Sequence, residues 1–137
     1  MGYEDTLGSI PIFSRLERQD LERLAKAVVP RKYAKGEEIV KEGEQAVAFY
    51  VIAKGKVAVT KAGQALAEFV AGESFGDMAL LDGFPRVASV VAQEETECLV
   101  MTRWDFAVEL RTNPSIALAM LPILSKRIRE LDDRLVG

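Results

Sequence analysis

The chain of 137 residues contains no histidine and only one cysteine, Cys98. Without histidine, the usual zinc sites, most haem ligation and acid–base catalysis by imidazole are excluded. A single cysteine can form neither an intrachain disulfide nor an iron–sulfur site, so Cys98 is expected to be a small core residue. Because no nucleophile–base constellation remains, we expect a binding function, no enzymatic activity and no metal.

Long apolar runs and an excess of positive charge are also missing. The longest apolar stretches are much shorter than a membrane-spanning helix, and the N-terminus MGYEDTLGSIPIF lacks the pattern of a signal peptide. The 18 Lys and Arg against 21 Asp and Glu give a net charge of −3. We therefore expect a cytoplasmic chain that binds neither membranes nor, directly, nucleic acid.

The central part of the chain, between about residues 30 and 101, consists of short apolar or β-branched runs separated by glycines. Turn signals recur about every 8 to 12 residues, which is typical of an antiparallel sandwich or roll. The tight turns should place five glycines at positive φ: Gly36, Gly43, Gly55, Gly63 and Gly72. The hydrophobic content of 49% and the length favour one folded domain over residues 1–137.

Helical periodicity flanks this central part. Before it, FSRLERQDLERLAKAV predicts one amphipathic helix that ends before Pro30. After it, two helices are predicted over about residues 103–135, the first capped by Thr102. The second should start with Asn113 as its N-cap and Pro114 at its first position. The predicted fold is therefore mainly β: a β-roll or jelly-roll (double-stranded β-helix) with an N-terminal helix and two C-terminal helices.

Two details of the C-terminal helices can be predicted. In the first helix, Trp104 and Val108 are expected to be buried, with Phe106 and Leu110 as further candidates. In the second helix, Pro122 removes one backbone hydrogen bond, which predicts a kink between residues 118 and 122.

The stretch GESFGDMALLDGFPRVAS, residues 72–89, does not follow a strand pattern; we call it the cassette. Its helix formers and glycines predict one helical turn from Asp77 to Leu81, entered through Gly76. The start of such a turn offers N–H groups to an anion, and the Gly-Phe-Pro reversal lets Arg86 fold back over the same position. From these residues alone two interpretations stay open. The cassette binds a phosphate, or Asp77 caps its own turn while Arg86 pairs with a surface aspartate, Asp77 or Asp82.

The cassette resembles the phosphate-binding cassette of cyclic nucleotide-binding domains, which usually runs F-G-E-x-A-L-L, a short spacer, then P-R-x-A-T/S. The stretches FSRLERQDLERLAKAV, YAKGEEIVKEGE, FYVIAKGKVAV and MTRWDF are similar to the family's leading helix, its strands and its exit into the C-terminal helices. The resemblance covers about residues 12–135. It implies a cAMP- or cGMP-binding sensor of the catabolite-activator type, without the helix-turn-helix of those transcription regulators. Whether the sensor stands alone or belongs to a longer regulator, channel or kinase stays open.

The resemblance also implies roles for individual residues. Gly76 and the N–H groups of Met78 and Ala79 would face the phosphate and ribose, Arg86 would neutralise the cyclic phosphate, and Asp77 would bind the ribose 2′-hydroxyl. The implied ligand-binding set is Phe75, Gly76, Asp77, Met78, Ala79, Arg86, Val87, Ala88, Leu131 and Asp132. Glutamate is usual where Asp77 stands, so the ribose contact should be longer or water-mediated.

The same resemblance makes predictions about which purine base is bound and which residues contact it. Family members that prefer cGMP often have a threonine after the arginine, and Val87 has no hydroxyl there, so cAMP is favoured. In the family the last helix or the strand before it covers the purine. Leu131 would then cap the ring, and Asp132 would accept from an exocyclic amine.

The last helix carries a coiled-coil pattern, with apolar residues spaced 3, 4, 3 and 4 apart: Leu121, Leu124, Ile128, Leu131 and Leu135. Arg127 and Asp132 would oppose one another in a parallel pair, which predicts a homodimer through residues 121–135; the alternative is that the stripe packs on the protein's own roll. Since Asp132 cannot serve both the partner's arginine and a purine, we expect ligand capture to move this helix. A different function also stays open, in which the same fold binds no ligand and serves only for dimerisation.

Overall fold

The computed structural model describes residues 2–136 of the chain. It contains two compact units. One is a β-rich unit over Ala27–Phe106, and the other is a helical unit made of the segment up to Lys26 and the segment from Ala107 onward. The prediction of a mainly β fold with flanking helices at both ends of the chain is confirmed.

The β-rich unit contains eight strands: β1 (Val29–Tyr33), β2 (Glu38–Val40), β3 (Ala48–Lys54), β4 (Lys56–Lys61), β5 (Gln64–Val70), β6 (Ser74–Phe75), β7 (Ser89–Ala92) and β8 (Thr96–Thr102). They form two four-stranded sheets with the orders β1-β8-β3-β6 and β2-β7-β4-β5, and all neighbours are antiparallel. The first strand pairs with the last, the second with the seventh, the third with the sixth and the fourth with the fifth. This nested pairing confirms the predicted roll.

A hydrophobic cluster fills the interior of the roll. Its buried members come from six strands: Val40, Ala48, Tyr50, Ile52, Val57, Phe75, Val90, Cys98 and Val100. On β3 and β8 these are alternate residues, as expected where one face of each strand points inward. Cys98 has no exposed surface, so its predicted place in the core is confirmed. The five glycines predicted at turns all have positive φ, between 80° and 100°.

The N-terminal segment differs from the prediction of a single helix. It forms helix α1 (Tyr3–Gly8), a 3₁₀ turn (Pro11–Phe13) and helix α2 (Arg18–Ala25). Residues 13–16 therefore precede the helix, and the N–H of Leu16 donates to the carbonyl of Phe13 at 3.1 Å. The helix predicted over residues 13–28 thus forms as α2 but is shorter, because apolar residues three apart fit a short turn as well as an α-helix.

Two helices follow the roll, α3 (Arg103–Thr112) and α4 (Pro114–Val136). The cap by Thr102 is confirmed, since its Oγ1 accepts a hydrogen bond from the N–H of Asp105 at 3.2 Å. Pro114 occupies the first position of α4, as predicted. Asn113 precedes it, with its side-chain amide donating to Glu109 Oε2 at 3.3 Å. Helix α4 continues without a break through Pro122, so the kink between residues 118 and 122 stays a prediction.

Of the α3 residues predicted to be buried, Trp104 and Val108 are exposed, whereas the further candidates Phe106 and Leu110 are buried and half-buried. Trp104 is 60% exposed and Val108 is 55% exposed, whereas Phe106 has no exposed surface. Successive helical residues turn by about 100°, so Phe106 lies roughly 200° from Trp104 and only one of the two can face inward. The helix begins directly after β8. The direction in which this strand ends therefore decides which of the two residues faces inward.

Candidate functional site

The cassette folds into one short turn, as predicted. Gly76 has φ +82° and ψ 20°, a left-handed conformation that side chains other than glycine rarely adopt. A 3₁₀ turn then runs over Asp77–Leu80, ending one residue before the predicted Leu81. The N–H of Ala79 donates to the carbonyl of Gly76 at 3.0 Å, so a ligand would have to share this amide with the turn.

The backbone of Arg86 is tied to the segment that joins β2 to β3. Its N–H donates to the carbonyl of Glu44 at 2.7 Å, and its carbonyl accepts from the N–H of Gly43 at 2.9 Å. These two bonds fix the position from which the side chain extends. The Gly-Phe-Pro reversal therefore returns the chain next to a segment some forty residues earlier.

Three groups then surround the guanidinium of Arg86. Its Nη2 donates to the carbonyl oxygen of Ala48 at 2.6 Å. Its Cζ lies 5.8 Å from the centroid of the Tyr50 ring. Its Nη1 faces Gly76, where an added Cβ would lie 2.5 Å away. The side chain is therefore directed across the start of the cassette turn.

The electrostatic state of this arginine favours an anionic partner. Burial lowers the pKa of the Arg86 guanidinium from its ordinary value, because removal of water disfavours the charged form; the nearby Tyr50 acts in the opposite direction. A negatively charged group placed beside a partly desolvated guanidinium would replace the lost hydration with a charge-assisted hydrogen bond.

The surface-pairing interpretation of Arg86 finds less support. Asp82, one of the two acids proposed as its partner, accepts a hydrogen bond at Oδ1 from the N–H of Phe84 at 3.1 Å. This contact closes the Asp82–Phe84 turn. Arg86 itself is directed at Ala48 and Tyr50. The geometry thus favours an arginine that faces into the roll.

A cavity of about 250 Å³ lies over this arrangement. It is lined by Ala46 and by cassette residues that include Gly76, Met78, Ala79 and Arg86. Pockets that enclose a drug-sized ligand usually measure roughly 300–1,000 Å³. This cavity is therefore somewhat smaller than such pockets usually are.

Five of the ten predicted ligand-binding residues line this cavity: Gly76, Met78, Ala79, Arg86 and Val87. Asp77 and Ala88 are half-buried neighbours of these residues in the chain, and Phe75 lies in the core on β6. That any of them binds a ligand stays a prediction. Leu131 and Asp132 are exposed on α4, in the helical unit, so their contact with a base stays a prediction.

The hydroxyl of Ser89 accepts a hydrogen bond from the N–H of Glu42 at 2.9 Å. The hydroxyl is therefore hydrogen-bonded to the segment that follows β2. Ser89 begins strand β7, and Val87, the residue directly after Arg86, lines the cavity.

Two residues that contact the Arg86 guanidinium, Ala48 and Tyr50, were not predicted from the sequence as site residues. Both lie on β3, and Tyr50 is paired in register with Phe75 of β6. Their rings are stacked, with centroids 4.9 Å apart and an interplanar angle of 7°. The sequence shows only that β3 is apolar; its register with the cassette could not be read from the residues.

Within residues 2–136, no group of three or more His, Cys, Asp or Glu side chains is arranged to hold a metal ion. None of the helices in this part of the chain combines the length and the apolar character required to span a membrane.

Comparison with known proteins identifies relatives of this chain. The family model described as "Cyclic nucleotide-binding domain" matches residues 30–113. The chain is 35% identical over 127 residues to the cyclic AMP receptor protein of Thermus thermophilus, covering 89% of this chain and 59% of that protein. It is 43% identical over 91 residues to a cAMP-dependent protein kinase regulatory subunit of Debaryomyces hansenii, covering 66% and 20% respectively.

A solved structure agrees over nearly the full length. The N-terminal domain of a transcriptional regulator from Streptomyces coelicolor superposes with a TM-score of 0.89 at 28% identity, covering 97% of this chain and 96% of that one. The chain thus spans 59% and 20% of the lengths of the two curated relatives, and almost all of this structural neighbour.

Proposed function

The chain belongs to the cyclic nucleotide-binding domain family, and from this membership we propose that it is a sensor that binds cAMP in preference to cGMP. The family is one of regulatory domains and not of catalysts. The observation that carries the proposal is the placement of Arg86, which is half-buried and directed across the cassette turn beside Gly76.

The proposed binding mode follows from the groups around the cavity. Arg86 would pair with the cyclic phosphate through the N–H groups other than the one that Ala48 accepts, because a guanidinium has five donors in a planar fork. Gly76 has no side chain, so its backbone can approach the phosphate closely. Asp77 would accept a hydrogen bond from the ribose 2′-hydroxyl, and its short side chain favours a water-mediated contact.

The preference for cAMP rests on Val87. This side chain lines the cavity and is 75% exposed. It offers no hydroxyl to the exocyclic amine and ring nitrogen that distinguish guanine, so nothing at this position favours cGMP. Replacing Val87 with threonine is expected to improve cGMP binding relative to cAMP.

The test of ligand and site is titration calorimetry with cAMP and cGMP. Arg86→Ala should weaken cAMP binding by at least about 30-fold, since truncating one partner of a buried charge pair removes roughly 2 kcal/mol or more. Arg111→Ala is the matched control, because this arginine is exposed on α3. Equal affinities of the wild type and Arg86→Ala would overturn the binding mode.

The alternative function, a fold used only for dimerisation, makes an opposite prediction for heat-induced unfolding. A ligand that binds only the folded state raises the midpoint of unfolding, by an amount that grows with its concentration. Millimolar cAMP should therefore raise the Tm of the wild type. A Tm that does not respond to cAMP, cGMP or other cyclic nucleotides would favour the alternative.

We also propose that a second copy of the chain pairs along α4. Of the coiled-coil stripe, Leu121, Ile128 and Leu131 are between 55% and 60% exposed, and Leu124 is half-buried. The side chain of the fifth member, Leu135, lies outside the described residues. A helix that keeps such a stripe on its surface can bury it against an identical helix.

Ligand capture and this pairing are proposed to be coupled. Leu131 would cover the purine. Asp132 would either accept a hydrogen bond from the purine's amine or form an ion pair with Arg127 of the second copy. Ligand binding would then move α4, and this movement would change the contact between the two copies. Sedimentation and protease accessibility of α4, measured with and without cAMP, test the coupling; identical results in both conditions would contradict it.

A further inference from the structure

The Tyr50 ring contacts two other members of the site. The Cζ of Arg86 lies 5.8 Å from its centroid, within the distance of a cation–π contact. The ring of Phe75 stacks on it almost in parallel, with centroids 4.9 Å apart. Tyr50 itself is only 9% exposed. Its ring is therefore held in place by the core and by Phe75, and it presents its π-system to the arginine.

We propose that Tyr50 is a positioning residue for ligand capture, whose ring holds the Arg86 guanidinium with Nη2 on Ala48 and Nη1 beside Gly76. The inference rests on the proposed function and extends it to a residue outside the cassette. Tyr50 acts through Arg86, so its effect on affinity is indirect.

The physical reason is the flexibility of arginine. A free arginine side chain has about 2 kcal/mol of rotamer entropy, part of which is lost when it binds a ligand. A guanidinium that is already oriented before the ligand arrives loses less, which improves affinity. The Ala48 carbonyl holds one nitrogen only, and rotation about that hydrogen bond is restricted by the ring.

The nearby charge distribution supports this role. Burial lowers the pKa of the Arg86 guanidinium from its ordinary value, because the loss of hydration disfavours the charged form. A water-depleted guanidinium needs other groups to replace its hydration, and the electron-rich face of an aromatic ring is one of them. The ring thereby stabilises the cation without neutralising it, and the charge stays available to a phosphate.

The test keeps the shape of the ring and changes its electrostatics. Tyr50→Phe retains the π-face and should bind cAMP with nearly wild-type affinity. Substitution of Tyr50 by pentafluorophenylalanine, whose planar ring is moderately larger than phenyl and has a reversed quadrupole, should weaken binding by about 3- to 30-fold relative to Tyr50→Phe. Both rings are planar and apolar, so both variants should fold, and urea unfolding shows whether the larger ring costs stability.

The matched control is the same fluorinated ring at Phe69, which packs against the same hydrophobic cluster from β5. This change should leave affinity as in the wild type. Equal affinities of the phenyl and pentafluorophenyl variants at position 50 would overturn the inference, and so would equal losses at positions 50 and 69. If the wild type itself binds no cyclic nucleotide, the proposed function fails and this inference fails with it.

Discussion

A Cβ added to Gly76 would lie 2.5 Å from Nη1 of Arg86 and 3.2 Å from the carbonyl oxygen of Ala48. Non-bonded heavy atoms do not approach to 2.5 Å, so a Cβ at position 76 and the Arg86 guanidinium in its present position exclude one another. Glycine is required at position 76 for a second reason as well, its φ of +82°. The two requirements can be separated by mutation.

Gly76→Ala should both destabilise the fold and weaken cAMP binding. The left-handed backbone conformation costs alanine roughly 1–2 kcal/mol, and the clash must displace Arg86 from Ala48. We expect cAMP affinity to fall by about tenfold or more, the equivalent of one lost hydrogen bond to a charged group. Calorimetry measures the affinity, and urea unfolding measures the stability.

Gly72→Ala provides the control for backbone strain. Gly72 has φ +93°, but nothing lies within 4 Å of its would-be Cβ. The substitution should cost a similar free energy of unfolding and leave cAMP affinity unchanged. If both variants lost affinity equally, strain in the backbone would explain the loss and the contact with Arg86 would not.

Phe106 and Trp104 are expected to respond very differently to truncation. Phe106→Ala should lower the free energy of unfolding by about 3–5 kcal/mol, because it removes a fully buried ring. Trp104→Ala should change it by less than about 0.5 kcal/mol, since the indole is mostly exposed. Urea unfolding measures both.

The fluorescence of Trp104, the only tryptophan of the sequence, gives an independent check. An exposed indole should emit at long wavelength and be quenched by iodide in the native protein. Emission typical of a buried indole would contradict the orientation of α3.

Stability should fall at alkaline pH. Burial raises the pKa of the Cys98 thiol to about 12, from 9.0 in the unfolded chain. The unfolded thiol loses its proton first, so the stabilisation present below pH 9 is lost as the pH rises towards 12. The limiting slope is about 1.4 kcal/mol per pH unit. Half-buried Tyr33, whose pKa burial raises to about 12, acts in the same direction.

Urea unfolding of the wild type and Cys98→Ala at pH 7, 9 and 10.5 measures this dependence. The variant is expected to be less stable at pH 7, because a small cavity replaces the thiol, but to lose less stability on going to pH 10.5. Parallel pH profiles for the two proteins would exclude Cys98 as a source of the alkaline loss.

A charge placed in the exposed stripe of α4 should prevent pairing without unfolding the chain. Ile128 is 60% exposed, so Ile128→Glu should cost little stability, yet it would bury a carboxylate between two paired helices. Sedimentation should then show a monomer. Lys126→Glu, on the outer face of the same helix, should remain a dimer; dimers of both variants would contradict pairing along this stripe.

The sequence by itself determined much of the local structure. The five glycines at turns, the start of the cassette turn after Gly76 and the cap at Thr102 were all predicted, because backbone conformation and capping depend on neighbouring residues. The cassette also identified Arg86, since a single arginine after a Gly-Phe-Pro reversal is a local pattern. The family resemblance was recognised on the same local evidence.

Only the tertiary structure decided what Arg86 contacts and which face of α3 is buried. Ala48 lies 38 residues before Arg86, and Tyr50 meets Phe75 through the register of β3 and β6. The inward position of Phe106 depends on the direction in which β8 ends. Such relationships are set by strand register and by packing between segments distant in the chain, and a local pattern of residues carries no information about either.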